Sequence, residues 1–218
     1  MTLSVTWEPD AVVLDGQRYR CAAELGRGKS AVSYRYTYAD HSVTVKHFMD
    51  TPDSHVPLER AVAFEVTSYE RMFAAGVHVP RLLAVNEEQR LLVKEYIAGK
   101  PLIERVLSST MTDALFEKVF RYHFQLKQAG FHVDYFPTNF LLMDDGTLSC
   151  VDYEAHPYNA DWDFPNWGLF YWLNAAGMQR FLQSRNQAAI NQPGTYRPYE
   201  APFLDDANRL RTLFAEYC

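Results

Sequence analysis

The stretch "HVDYFPTNFLLMDDGTLSCVDYE", His132 to Glu154, sets Asp134 between an apolar run and a proline-containing loop, with Asn139 five residues on and Asp152 thirteen further. Asp, Pro and Asn are ordinary turn residues, and "MDDGTL" carries an Asp-Gly hairpin signal. A turn followed by a hairpin therefore accounts for the local pattern. The same residues also suit a second chemistry. An aspartate beside a reacting hydroxyl can orient it or take its proton, and an amide oxygen with a second carboxylate makes a hard oxygen pair for Mg2+. With Asp134 and Asn139 on one loop and Asp152 at the end of the hairpin, all three are expected at one edge.

The chain around this stretch is 218 residues long, 48% hydrophobic and 22% charged. That is the globular range, with length for one large domain or two small lobes. A net charge of -6 offers no basic footprint for nucleic acid or for an anionic membrane. No apolar run approaches the ~18 residues of a spanning helix. The opening "MTLSVTWEPD" lacks the basic and apolar segments of a secretory signal. Cys21, Cys150 and Cys218 have no metal-type spacing, and the seven histidines form no zinc pattern. These features predict a soluble cytoplasmic protein with reduced thiols and no nucleic-acid or membrane partner.

Ahead of the connector Gly99 to Pro101 the pattern is mostly strand. "AVVLDGQRYRCAAEL" holds two β-rich runs around Asp15-Gly16, and "AVSYRYTYADHSVTVKHF" repeats that form. One helix interrupts, "PLERAVAFEVTSYERMFAAG", opening at Pro57 and stopping at Gly76. "VPRLLAVNEEQRLLVKEYIAGKPL" then supplies two more strands. Beyond the connector the pattern turns helical. "TDALFEKVFRYHFQLKQAG" has Thr112 as N-cap and Gly130 as stop. An aromatic run, "DWDFPNWGLFYWLN", and two C-terminal helices follow. The expectation is an α+β chain: a β-rich lobe over residues 1–97 with one main helix, and a small helical lobe over 98–218.

Three features of the first lobe bear on chemistry. In "LGRGKSAVSYRY", Gly26 and Gly28 could let backbone N–H groups approach phosphate oxygens, although two glycines in a hairpin turn read the same. Lys46 in "VTVKHF" is either a solvated lysine on a half-buried strand or a point charge for phosphates. On the helix, Leu58, Val62, Glu65, Tyr69 and Met72 fall on one stripe, so Glu65 is the acidic residue of the apolar face. A carboxylate facing the core is costly unless paired. Pairing it with Lys46 resolves both oddities.

In this order the motifs resemble the protein-kinase-like superfamily across roughly residues 20 to 175. "LGRGKSAV" resembles the glycine-rich loop, "VTVK" the strand-three lysine motif, and "HVDYFPTN" the catalytic loop. "VDYE" stands in the place of Asp-Phe-Gly. The resemblance implies a two-lobed kinase-like fold that uses ATP and Mg2+. Lys46 would hold the phosphates, Glu65 would fix Lys46, Asp134 would act on the acceptor hydroxyl, and Asn139 and Asp152 would ligate Mg2+. "KEYI", with Glu95 and Ile97, resembles the hinge that borders the adenine. Ala31 replaces the third glycine, Phe136 replaces the usual catalytic-loop lysine, and Glu154 replaces the last glycine of the metal motif.

No activation segment follows Asp152. "VDYEAHPYNADWDF" looks like the choline and ethanolamine kinase pattern, and "EVTSYERMFAAGVHVPRLLAV" is similar to aminoglycoside phosphotransferases. Only residues 173–218 remain after Trp172, where those enzymes carry a large acceptor-binding subdomain, so the chain resembles RIO-like and other minimal atypical serine/threonine kinases more closely. A small atypical serine/threonine protein kinase is the leading expectation, with a hydroxyl-bearing protein as acceptor. A small-molecule kinase and a pseudokinase binding module are the alternatives. Asp163 is expected to be structural by analogy. The rings of Trp162, Phe164, Trp167, Phe170, Tyr171 and Trp172 are expected to pack a core rather than to cage a cation.

Overall fold

The computed structural model of the chain describes residues 3–8, 10–50 and 57–218. It combines helices with largely antiparallel sheet, an α+β arrangement. The chain divides into two compact units, Met1–Glu70 with Pro80–Ala98, and Arg71–Val79 with Gly99–Cys218. Residues 71–79, grouped with the first lobe by sequence, belong to the second unit. Among the described residues no helix is long and apolar enough to cross a membrane. The absence of a signal was read partly from Met1, Thr2 and Pro9, which lie outside the described residues.

The first unit is built on a seven-stranded sheet of β1 (Val5–Glu8), β2 (Ala11–Leu14), β3 (Gln17–Arg27), β4 (Ala31–Tyr38), β5 (His41–Phe48), β6 (Leu82–Asn86) and β7 (Leu91–Glu95). The order is β1-β2-β3-β4-β5-β7-β6. Asp15 and Gly16 both take positive φ, 48° and 78°, in the two-residue turn from β2 to β3, as a right-twisted hairpin requires. Alternation along β5 divides the sheet into two faces. On one, Val43 and Val45 join Val5, Val12, Leu14, Tyr36, Leu91 and Val93 in a core. On the other, Ala31, Phe48 and Leu92 pack with Ala61 and Val62 of the helix α1 (Leu58–Ala74).

The second unit carries β8 (Lys100–Pro101), α2 (Leu102–Leu107), α3 (Asp113–Gln128), β9 (Phe131–Val133), β10 (Phe140–Leu142), β11 (Leu148–Cys150), β12 (Ala155–Pro157), α4 (Leu169–Leu173), α5 (Ala175–Ser184) and α6 (Leu204–Leu213). Thr112 Oγ1 caps α3 by accepting from Leu115 N at 3.3 Å, and Gly130 ends it at φ 80°. Phe116, Val119, Phe120 and Leu126 line its buried face. Four of the six rings of the aromatic run, Phe164, Phe170, Tyr171 and Trp172, are buried, so core packing describes them; Trp162 is exposed. Trp162 and Trp167 meet at 5.2 Å between ring centroids. β10 and β11 form the Asp-Gly hairpin, and β12 returns to pair with β9.

Candidate functional site

Each unit holds one set of the residues picked out by sequence. In the first unit the register sets Lys46 opposite Leu92 and Thr44 opposite Lys94. Lys46, Leu92 and Lys94 therefore share the sheet face toward α1. Along α1, Leu58, Val62, Glu65 and Tyr69 recur at helical spacing, and Glu65 is 2% exposed. Glu65 Oε1 accepts a hydrogen bond from Lys46 Nζ, the pairing anticipated by the two sequence oddities. Its Oε2 stands 3.6 Å from Nζ of Lys94, itself 2% exposed, and makes no hydrogen bond among the described residues. One buried carboxylate thus faces two buried ammonium groups. Lys94 is the residue that sequence reading missed. Read by alternation, "LLVKE" could have found it, because Lys94 shares a face with Leu92.

The glycine segment is open and its backbone is ordinary. Gly26 lies inside β3 opposite Ser33, with open space where a Cβ would stand. Gly28 N donates to Ala31 O at 2.9 Å, and a Cβ at Gly28 would meet that oxygen at an ordinary 3.7 Å. Neither glycine takes a positive φ. Glu95 is held by Arg81: Oε2 accepts from Arg81 N at 3.2 Å and lies 3.5 Å from Nε. Ile97 is buried, and the Arg35 guanidinium lies 4.4 Å from the Tyr96 ring centroid.

In the second unit, Asp134 follows β9 and opens the loop to the short 3-10 turn Pro137–Asn139. Its Oδ1 accepts from Phe136 N at 3.1 Å. The Asn139 side-chain amide donates to the Asp134 carbonyl oxygen at 3.2 Å and to Oδ2 at 3.4 Å. With Nδ2 committed to Asp134, Asn139 keeps Oδ1 as an acceptor, which receives a bond from the Thr138 hydroxyl at 3.4 Å. Asp152 is brought to the same loop by backbone pairing. Phe140 lies opposite Cys150, and Val151 N donates to Asn139 O at 2.9 Å. Amide oxygen and carboxylate make the hard donor set that Mg2+ takes, so these two residues fit that ion.

Aromatic packing fixes the loop. Tyr135, fully buried, accepts at its carbonyl from Trp172 Nε1 at 2.7 Å. Phe136 meets the rings of Tyr171 and Phe181 at 5.4 and 5.5 Å. Burial foremost, and next the Asp134 carboxylate, push the Tyr171 phenol well above its ordinary range. It therefore stays neutral and donates to Asn191 Oδ1 at 2.7 Å. Asp163 accepts from Tyr158 Oη and Asn166 N, both at 2.9 Å, and burial raises its carboxyl against those bonds. It steadies the turn Phe164–Gly168, whose last residue packs on Tyr135.

Chemically, the first unit offers ammonium groups whose positions are set by a carboxylate. The second offers a half-buried aspartate held by two donors, with an amide oxygen on its own loop and a carboxylate on the strand end paired to that loop as hard oxygen donors. In comparison with known proteins, no protein-family model and no curated sequence matches this chain.

Proposed function

We propose that the chain is an ATP- and Mg2+-dependent phosphotransferase on a two-lobed protein-kinase-like fold. It acts in the cytoplasm, foremost as a small atypical serine/threonine protein kinase. The observation that carries the reading is the buried pairing of Lys46 with Glu65. Such a pair is no more stabilising than well-packed apolar side chains, so its presence inside a sheet–helix core calls for a role other than stability. Holding an ammonium ready for phosphate oxygens is such a role.

In this reading Lys46 binds the nucleotide phosphates, Glu65 orients Lys46, and Glu95 and Ile97 border the base beyond Gly26 and Gly28. The acceptor hydroxyl oxygen attacks the γ-phosphorus, the bond from that phosphorus to the β-phosphate oxygen breaks, and ADP departs. The hydroxyl proton passes to Asp134. Asn139 and Asp152 would hold Mg2+, which supplies charge neutralisation at the phosphate oxygens. One observation favours a small-molecule acceptor as a second reading. Ala155, three residues beyond Asp152, already pairs with Val133, so the chain folds straight back onto β9 without an activation segment.

The test is incubation with γ-labelled ATP and Mg2+, alone and with panels of proteins and small alcohols, for the wild type and Asp134→Asn. Label on protein supports the kinase reading, and label on a small alcohol supports the second. Asp134→Asn should keep nucleotide affinity in calorimetry and lose transfer by roughly 10²–10⁴-fold. Undiminished transfer would reject the role of Asp134. Nucleotide binding by the wild type without transfer to any acceptor would leave a binding module in place of an enzyme.

A further inference from the structure

The sheet face opposite Lys46 carries a cavity of about 370 Å³, open on one side and formed wholly within the first unit. Trp7 of β1, Tyr34 and Tyr36 of β4, and His47 of β5 wall it with rings, and Asp10 stands at its mouth in the turn after β1. Tyr36 is 4% exposed and forms the floor, whereas Trp7, Tyr34 and His47 are half-buried and Asp10 is exposed. The Trp7 and His47 rings lie 5.2 Å apart, inclined at 35°, and Tyr34 and Tyr36 stand edge to face at 6.5 Å. Among the described residues no lysine or arginine lines the cavity, and Asp10 is the carboxylate in its lining.

The walls are held in place before any ligand arrives. Gln89, in the turn from β6 to β7, clamps the Trp7 backbone: its Oε1 accepts from Trp7 N at 2.7 Å and its Nε2 donates to Trp7 O at 3.1 Å. The Gln89 backbone carbonyl pairs with His47 Nε2 at 3.1 Å, so one residue positions two of the four rings. Asn86 fixes Gln89 in turn, accepting from Gln89 N at 2.9 Å and donating to Val5 O at 2.9 Å. Burial raises the Tyr36 phenol, so its ring stays neutral.

We propose that this cavity binds a quaternary methylammonium group. Ring faces attract a cation through their quadrupoles without supplying hydrogen-bond acceptors, which suits a cation that has no N–H to donate. The carboxylate at the mouth balances the charge from the solvent side. A cavity of this size is in the range of small-ligand pockets. It is separate from the proposed phosphotransfer residues, because Val45 and His47 alternate with Lys46 along β5. The group could be carried by a free small molecule or by a trimethylated lysine of a protein, and the two sources are separable by experiment.

The test is a titration of the full chain with tetramethylammonium, followed by the Trp7 indole N–H resonance. Neopentyl alcohol, larger by one hydroxyl, serves as the uncharged probe. A saturable shift is expected, with neopentyl alcohol weaker by at least about tenfold, since several ring contacts act together. Tyr34→Leu should weaken binding by about three- to tenfold, the worth of one such contact, and Asp10→Asn by about two- to fivefold. Asp10 is exposed and Tyr34 half-buried, and an unchanged thermal melting temperature of each variant verifies that the fold tolerates them. A trimethyllysine peptide binding about tenfold more tightly than tetramethylammonium, with the unmodified peptide silent, would support a methylated protein as the source. Equal affinity for the two would support a free small molecule. Equal binding of neopentyl alcohol and tetramethylammonium would overturn the proposal, as would a titration without saturation or full affinity in both variants.

Discussion

Replacing Glu65 with glutamine preserves the shape of the side chain and removes the charge that Lys46 and Lys94 face. Lys46, Glu65 and Lys94 are 8%, 2% and 2% exposed, so water cannot readily take the carboxylate's place. The Lys94 contact at 3.6 Å corresponds to about 4–5 kcal/mol of gross attraction at an effective dielectric of ~20. Removing one member of a buried ion pair costs about 3–5 kcal/mol, most of it the penalty of leaving charge uncompensated. For a chain of this length each kcal/mol lowers Tm by roughly 2–4 °C, so the variant should melt about 6–20 °C lower. Urea denaturation measures the loss. Hydrogen exchange locates it: amides of β5 and β7 should exchange faster in Glu65→Gln, with those of α3 unchanged. Adding Lys94→Met removes one of the two ammonium groups and should recover about half of the loss, a coupling that a double-mutant cycle isolates. A loss below about 1 kcal/mol, or a double variant no more stable than the single one, would refute the shared-carboxylate account.

Two further outcomes test the second unit. His123 is fully buried, its Nδ1 3.3 Å from the Tyr135 hydroxyl, and burial, with smaller contributions from Lys127 and His132, lowers it to about 3. Because the folded value is depressed below the unfolded one of about 6.5, its contribution is complete above that pH and is lost as pH falls toward 3. Stability should drop by about 2 kcal/mol from this group between pH 7 and 5. His123→Leu should lose that part of the pH dependence of the urea midpoint, and an unchanged dependence would contradict the assignment. Gly168→Ala places a Cβ 2.6 Å from Tyr135 Cβ and 3.2 Å from Phe164 Cδ2, both on fully buried side chains with little room to move. It should cost about 1–3 kcal/mol in thermal melting, and an unaltered Tm would show that the turn yields freely.

Local rules of spacing and capping made much of the fold legible. Asp15-Gly16 marks its hairpin because two consecutive positive φ values suit few residue pairs, and Thr112 and Gly130 bound α3 because helix ends need particular side chains. The β12 strand was not legible, since "AHP" carries no alternation, and its pairing with β9 comes from the return of the chain. The turn Phe164–Gly168 was also hidden. Its five-residue hydrogen-bonding pattern follows from Asp163 accepting at its head and Gly168 meeting Tyr135.

The sequence by itself determined which face of its helix Glu65 takes, because a helical period is a property of consecutive residues. It also determined that Asn139 and Asp152 flank one hairpin, since an Asp-Gly turn brings its two ends together. Tertiary structure alone decided that Lys94 shares Glu65 with Lys46, and that Trp7, Tyr34, Tyr36 and His47 wall one cavity. Both depend on strand register between distant segments. A shift of one residue in β7 against β5 would turn Lys94 to the other face, and no local pattern states that register in advance.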